Sequence, residues 1–160
     1  MPEFIVSLPI DPVSRGEMWI SKQPLPRHCT LMGFFEIYPS QVVPFEEKLS
    51  DLARDTASIL LNSEKQALFG PTNDVPVHVL ERRHELTLLH TQLFMYLVRS
   101  ASAAEFLNLN WVGAGYNPHV TIIDGKGLPL GSSYYARNMA LIERRSDGSR
   151  IVRSAYPFSV

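Results

Sequence analysis

Cysteine is nearly missing from this sequence: 160 residues carry one, Cys29. A lone cysteine cannot close an internal disulfide or build a thiolate zinc cage, so a reducing, intracellular setting is the simplest expectation, and the cytoplasm is the expected location. Net charge is also nearly missing, with 15 Lys and Arg against 16 Asp and Glu. That balance argues against a protein that grips long duplex nucleic acid through many phosphate contacts, but leaves room for a small phosphorylated ligand or an RNA end. Long apolar runs are lacking too. The opening residues MPEFIVSLPIDP hold Glu3 and are broken by Pro9, so they read as a first strand rather than a leader or a membrane span, and no later run is long enough to span. Low-complexity tracts and clean linkers are missing as well, which leaves one domain over residues 1–160 as the expectation.

What is present has the pattern of an α+β protein. Residues 3–9 and 28–38 are rich in Phe, Ile, Val and Leu and read as strands, separated by a Pro- and Gly-bearing loop over 11–27. Pro44 suits the first turn of a helix, and Phe45, Leu49, Leu52, Ala53, Ile59 and Leu60 extend an apolar stripe towards residue 62, with acidic residues early enough to suit the helix dipole. Two short strands are predicted at 66–69 and 75–80, flanking a turn at 70–74, then a helix from 84 to about 101 with Leu86, Leu89, Leu93 and Leu97 as its core stripe. A Gly-rich loop at 108–118, a strand at 119–123, another loop around Gly125 to Gly131, and strands at 137–145 and 149–157 complete the order β, β, α, β, β, α, β, β, β. That order predicts helices packed on antiparallel sheet.

One short pattern occurs twice. His28-Cys29-Thr30-Leu31 and His119-Val120-Thr121-Ile122 both read His, apolar, Thr, apolar, and both lie in predicted strands. In a strand, side chains at i and i+2 share a face about 7 Å apart. His28 and Thr30 therefore point together, with Cys29 and Leu31 on the opposite, core-side face, and the same holds for His119 and Thr121. If the two strands lie side by side across a cleft, they offer two imidazoles and two hydroxyls to one ligand. That set suits in-line displacement at a phosphodiester. One neutral imidazole takes a proton from the attacking oxygen, an imidazolium gives one to the leaving oxygen, and the Thr hydroxyls donate to the non-bridging oxygens. Nothing in the arrangement needs a metal or a cofactor. Strand parity turns Cys29 away from His28, so a Cys–His nucleophile pair is geometrically poor and Cys29 reads as an apolar anchor.

At these residues the chain resembles the 2H phosphoesterase superfamily, the LigT or 2′-5′ RNA ligase-like proteins. The context Gly115-Tyr116-Asn117-Pro118-His119-Val120-Thr121-Ile122 is especially similar, and the motif separation suits the LigT-like branch. The likeness covers most of the chain, including Phe69-Gly70 and the Leu89-His90 pair. It implies a bilobal, pseudo-symmetric fold of two intertwined lobes, with antiparallel sheets flanking a central cleft and helices outside. It also implies metal-independent hydrolysis or ligation at 2′,3′-cyclic phosphates or 2′-5′ phosphodiester bonds of a nucleotide or RNA end. His28 and His119 would inherit the acid and base roles, and Thr30 and Thr121 the phosphate contacts.

Other residues carry weaker signals. Phe34 shares parity with His28 and could stack on a base, and Tyr116 could contact a nucleoside; both are candidate substrate-binding residues, against ordinary packing. Arg27 could meet a phosphate or be solvated surface. Arg137, Arg144, Arg145, Arg150 and Arg153 make the last segment locally basic, which reads as the charged face of a hairpin or as a guide for RNA. His84 and His90 lie six apart, where a zinc pair on one helix wants about three or four, so no metal site is expected. His78 reads as a strand surface residue. A monomer is expected. The leading function is a 2H-type phosphodiesterase. A non-catalytic nucleotide- or RNA-binding module with the same cleft is the alternative, and a metal-dependent hydrolase using histidines and carboxylates comes third.

Overall fold

The computed structural model describes residues 1–99, 105–106 and 109–160. Among them are ten strands and two α-helices: β1 (Glu3–Pro9), β2 (Met18–Trp19), β3 (His28–Glu36), α1 (Pro39–Arg54), β4 (Ile59–Phe69), β5 (Val75–Leu80), α2 (His84–Arg99), β6 (Glu105–Phe106), β7 (His119–Thr121), β8 (Ser133–Ala136), β9 (Asn138–Arg144) and β10 (Arg150–Pro157). Every strand pairing is antiparallel, and the strands follow the order β2-β10-β9-β1-β3-β7-β5-β4-β8, with β6 added to β3. The order has two halves that meet where β3 lies against β7, the two strands carrying the His-x-Thr repeats. Helix α1 packs on β9 and β10, and α2 packs on β3 and β4, across the seam between the two halves.

The core follows from alternation. In β1, Phe4, Val6 and Leu8 are fully buried in the main cluster with Cys29, Leu31, Phe35, Phe45, Leu49, Leu89 and Leu93. Ile5 points the other way, into a smaller cluster with Leu25, Ala140, Ile142 and Val152. That second face is the floor of a cleft.

The expected α+β architecture is what forms, and four local expectations are corrected. Helix α1 starts at Pro39, not Pro44, and Pro44 lies inside it. Pro39 takes the N-terminal slot, where a missing N–H costs nothing. Pro44 sits early enough that the hydrogen bond it forfeits is to Ser40, in the exposed first turn. With the start moved, the first turn holds no acidic residue, and Glu46 instead pairs with Arg153 on β10 at 3.3 Å. The helix ends at Arg54, where the Thr56 amide tightens to the Ala53 carbonyl at 3.2 Å and the Thr56 hydroxyl donates to the Leu52 carbonyl at 2.6 Å. Ile59 and Leu60 then belong to β4, whose buried positions Ile59, Leu61 and Ser63 keep strand period. β8, unread in the sequence, pairs with that extra length of β4. The loop before His119 is not irregular throughout: Leu109–Trp111 and Gly113–Gly115 form 3-10 turns. The expected end of the second helix near residue 101 and the start of that loop at 108 lie outside the described residues.

Candidate active site

His28 is the first residue of β3 and His119 the first residue of β7. The antiparallel register pairs Cys29 with Val120, both fully buried. The same register sets His28 opposite Thr121 and Thr30 opposite His119, all on the cleft face. Each imidazole is therefore flanked by the hydroxyl of its own repeat and faces that of the other.

The two rings are tethered alike. His28 Nδ1 lies 2.7 Å from the Pro26 carbonyl, and His119 Nδ1 lies 2.8 Å from the Asn117 carbonyl, in each case two residues back. A carbonyl only accepts, so both Nδ1 atoms carry the proton and donate it. The neutral rings then hold their lone pair on Nε2. Burial pushes both pKa values below the ordinary histidine value, against the pull of the carbonyls. His28 is lowered further by the charges of His119 and Arg150.

Around the four residues lies an open cavity of about 490 Å³, within the range of small-molecule sites. Its lining is mostly apolar. On the His119 side stand Phe69 and Trp111: Phe69 meets the His119 ring edge-on at 4.8 Å between centroids, and Trp111 lies 5.9 Å from it. On the His28 side stand Pro24, Leu25, Phe34 and Arg150. Phe69 enters the sequence reading only as part of the strand pair around Phe69-Gly70, with no site role, and Trp111 does not enter it. They come from the end of β4 and from a 3-10 turn, so no local spacing relates them to His119; the one available signal was a tryptophan in the loop leading into the second repeat.

Phe34 lines the cavity, and the Arg144 guanidinium covers its ring at 3.8 Å. Tyr116 also borders the cavity but is buried, with its hydroxyl donating to the Thr30 carbonyl at 3.0 Å. Its ring stacks on His90 at 3.9 Å with planes 4° apart. His90 is itself enclosed: Nδ1 donates to the Leu31 carbonyl at 2.7 Å, and Nε2 accepts from the Gly113 amide at 2.9 Å. One neutral imidazole on α2 thus joins the strand of the first repeat to the turn that leads into the second.

The remaining candidates fall outside the cleft. Cys29 is buried 3.8 Å from the Tyr116 hydroxyl, and burial pushes its thiol up to about 12, which leaves it inert. Arg27 is held by a bidentate pair with Asp11, at 3.0 and 2.8 Å, and donates to the Gly127 carbonyl at 2.9 Å. His78 is buried rather than on the surface, accepting from the Leu128 amide at 3.0 Å. The chain can pass so close to it because residue 127 is glycine; a Cβ there would lie 2.4 Å from His78 Nδ1. Of the late arginines, Arg144 pairs with Glu3, and Arg153 with Glu46 and Glu143. Among the described residues no three His, Cys, Asp or Glu side chains are grouped as metal ligands, and no helix is long and apolar enough to cross a membrane.

No family model and no curated protein matches the chain. Solved structures do. TT0787 of Thermus thermophilus matches at 18% identity and a TM-score of 0.58, over 99% of this chain and 98% of that one. A phosphoesterase matches at 15% identity and 0.59, over 99% of each chain. E. coli LigT in complex with 3′-AMP matches at 15% identity and 0.59, over 100% of each chain, and LigT has also been crystallised with phosphate and with NADP+. Likeness of that extent at such low identity is likeness of fold, and over its whole length this chain has the LigT-like fold.

Proposed function

We propose that the cleft hydrolyses phosphodiesters of nucleotides or RNA ends, at 2′,3′-cyclic phosphates or 2′-5′ linkages, by acid–base catalysis between His28 and His119. The observation that carries this reading is the matched tether of the two imidazoles, each with Nδ1–H on a carbonyl two residues back and Nε2 left for chemistry. A phosphodiester placed between them would have one Nε2 beside the attacking water and the other beside the leaving oxygen. The first removes a proton as the new P–O bond forms; the second, protonated, delivers one as the old bond breaks. Thr30 and Thr121 donate to the non-bridging oxygens and hold the phosphorus in line. Which histidine acts as base depends on which way round the substrate lies. With a 5′-hydroxyl in place of water, attack on the 2′,3′-cyclic phosphate forms the new P–O bond as the bond to the 3′ oxygen breaks, so 2′-5′ ligation belongs to the same reading. The 3′-AMP bound by LigT carries the phosphomonoester that remains when a 2′,3′-cyclic phosphate opens at its 2′ oxygen.

The test is hydrolysis of nucleoside 2′,3′-cyclic phosphates and 2′-5′ dinucleotides in excess chelator. Turnover is expected, with His28→Ala and His119→Ala each losing about 10²–10⁴ in kcat. Full activity in either single variant would overturn the two-histidine mechanism. Tight nucleotide binding without turnover of any substrate would instead identify a binding module.

A further inference from the structure

Arg150, at the start of β10, stands in the cavity wall on the His28 side, and its surroundings leave it without a counter-charge. Among the described residues it is the one Lys or Arg in that wall. Arg27, Arg54, Arg83, Arg144 and Arg153 each reach a carboxylate, whereas Arg150 reaches none. Its Nη2 donates to the Ile20 carbonyl at 3.1 Å and to the Gln23 carbonyl, which fixes the guanidinium plane. Its Nε is buried and has no hydrogen-bond partner.

A partly exposed cation in a mostly apolar wall, with no carboxylate beside it, is open to an incoming anion. Guanidinium is also the side chain best shaped for phosphate, through paired N–H donors. The reactive phosphodiester is already served by two imidazoles and two hydroxyls at the cleft centre. The two ends of the cleft differ in kind: Phe69 and Trp111 crowd His119, while the His28 end holds the unpaired charge. We propose that Arg150 is a subsite for a second phosphate of the substrate, beyond the bond that is cleaved. Resting on the phosphodiesterase reading, this names the preferred class: nucleotides that carry another phosphate besides the cyclic one, either a 5′-phosphate or the neighbouring phosphodiester of an RNA end.

The experiment compares kcat/KM in chelator for adenosine 2′,3′-cyclic phosphate, its 5′-phosphorylated form, and a dinucleotide ending in a cyclic phosphate. The wild-type protein is expected to favour the 5′-phosphorylated substrate, the dinucleotide, or both, by about ten-fold or more over the simple cyclic nucleotide. Whichever is favoured identifies the source of the anion. Arg150→Gln is expected to bring that ratio close to one, and Arg150→Lys to keep part of it. Because Arg150 also ties down the 20–23 turn, any drop shared by all three substrates reports the turn, and the ratio alone reports the subsite. A wild-type ratio near one, or a ratio that survives in Arg150→Gln, would overturn the proposal; the wild-type ratio can do so even if the variant does not fold. If no substrate turns over, the phosphodiesterase reading fails by itself. The subsite is then judged by calorimetry with adenosine 3′-phosphate and adenosine 3′,5′-bisphosphate. Tenfold tighter binding of the bisphosphate supports it, and equal affinity rejects it.

Discussion

At the scale of single residues, the repeat separates cleft-facing from core-facing side chains by parity alone. Cys29 draws attention as the one cysteine, yet its thiol lies on the core face, opposite Val120, and titrates far above neutrality. Cys29→Val changes a small buried hydrophobe for another of similar volume. It is expected to leave kcat within about two-fold and the urea midpoint nearly unchanged, with a stability change under ~1.5 kcal/mol. Inactivation of a folded Cys29→Val protein would return the thiol to the mechanism. His28, Thr30, His119 and Thr121 were legible because their relationship is local: an i, i+2 spacing in a strand needs no knowledge of the fold. The places of Phe69, Trp111 and Arg150 in the cavity wall were not, because three separate elements bring them together.

At the scale of elements, the same contrast governs what could be read of the secondary structure. β1 and the start of β3 were legible from β-forming residues with no competing period. The end of helix α1 is hidden in the sequence because Ile59 and Leu60 continue its apolar stripe, while at the real end the Thr56 amide and hydroxyl turn back onto the Ala53 and Leu52 carbonyls. His90 shows how an element can serve the site without touching a ligand. On α2 it holds Leu31 and Gly113 together and backs Tyr116, which in turn holds the Thr30 carbonyl. His90→Phe keeps a ring for the stack but strands a buried carbonyl and an amide. Each lost partner costs about 1–3 kcal/mol, so a loss of roughly 2–6 kcal/mol is expected by urea denaturation. A destabilisation below about 1 kcal/mol would mean that water or a shifted backbone replaces both bonds.

At the scale of the whole molecule, the buried histidines make stability depend on pH in a definite direction. His28, His90 and His119 all have pKa values lowered chiefly by burial. Unfolded, they titrate near about 6.5. Below that pH the unfolded chain holds more protons than the folded one, so stability is complete above ~6.5 and falls as the pH drops towards the folded values. Each histidine adds at most about 1.4 kcal/mol per pH unit to that slope. Urea midpoints are expected to fall between pH 7.5 and 5.5, and to fall less steeply in His90→Phe; a flat profile would contradict the burial of these rings.

The pairing of β1 with β9 has a consequence for time rather than energy. Ile5 lies opposite Ile142, and β1 is the strand between β3 and β9 that completes one side of the cleft. Nearly the whole chain must therefore be looped before that side closes, and contacts so distant in sequence slow folding to the millisecond-to-second range. On the ribosome, β1 and β3 emerge long before β9 and stay half-paired meanwhile. The edge of β1 awaiting β9 is then an unfilled template for other chains. Stopped-flow refolding is expected to show a slow phase in that range, and its yield is expected to fall with rising protein concentration. Substitutions at Ile142 are expected to lower that yield more than equal losses of stability placed in α2.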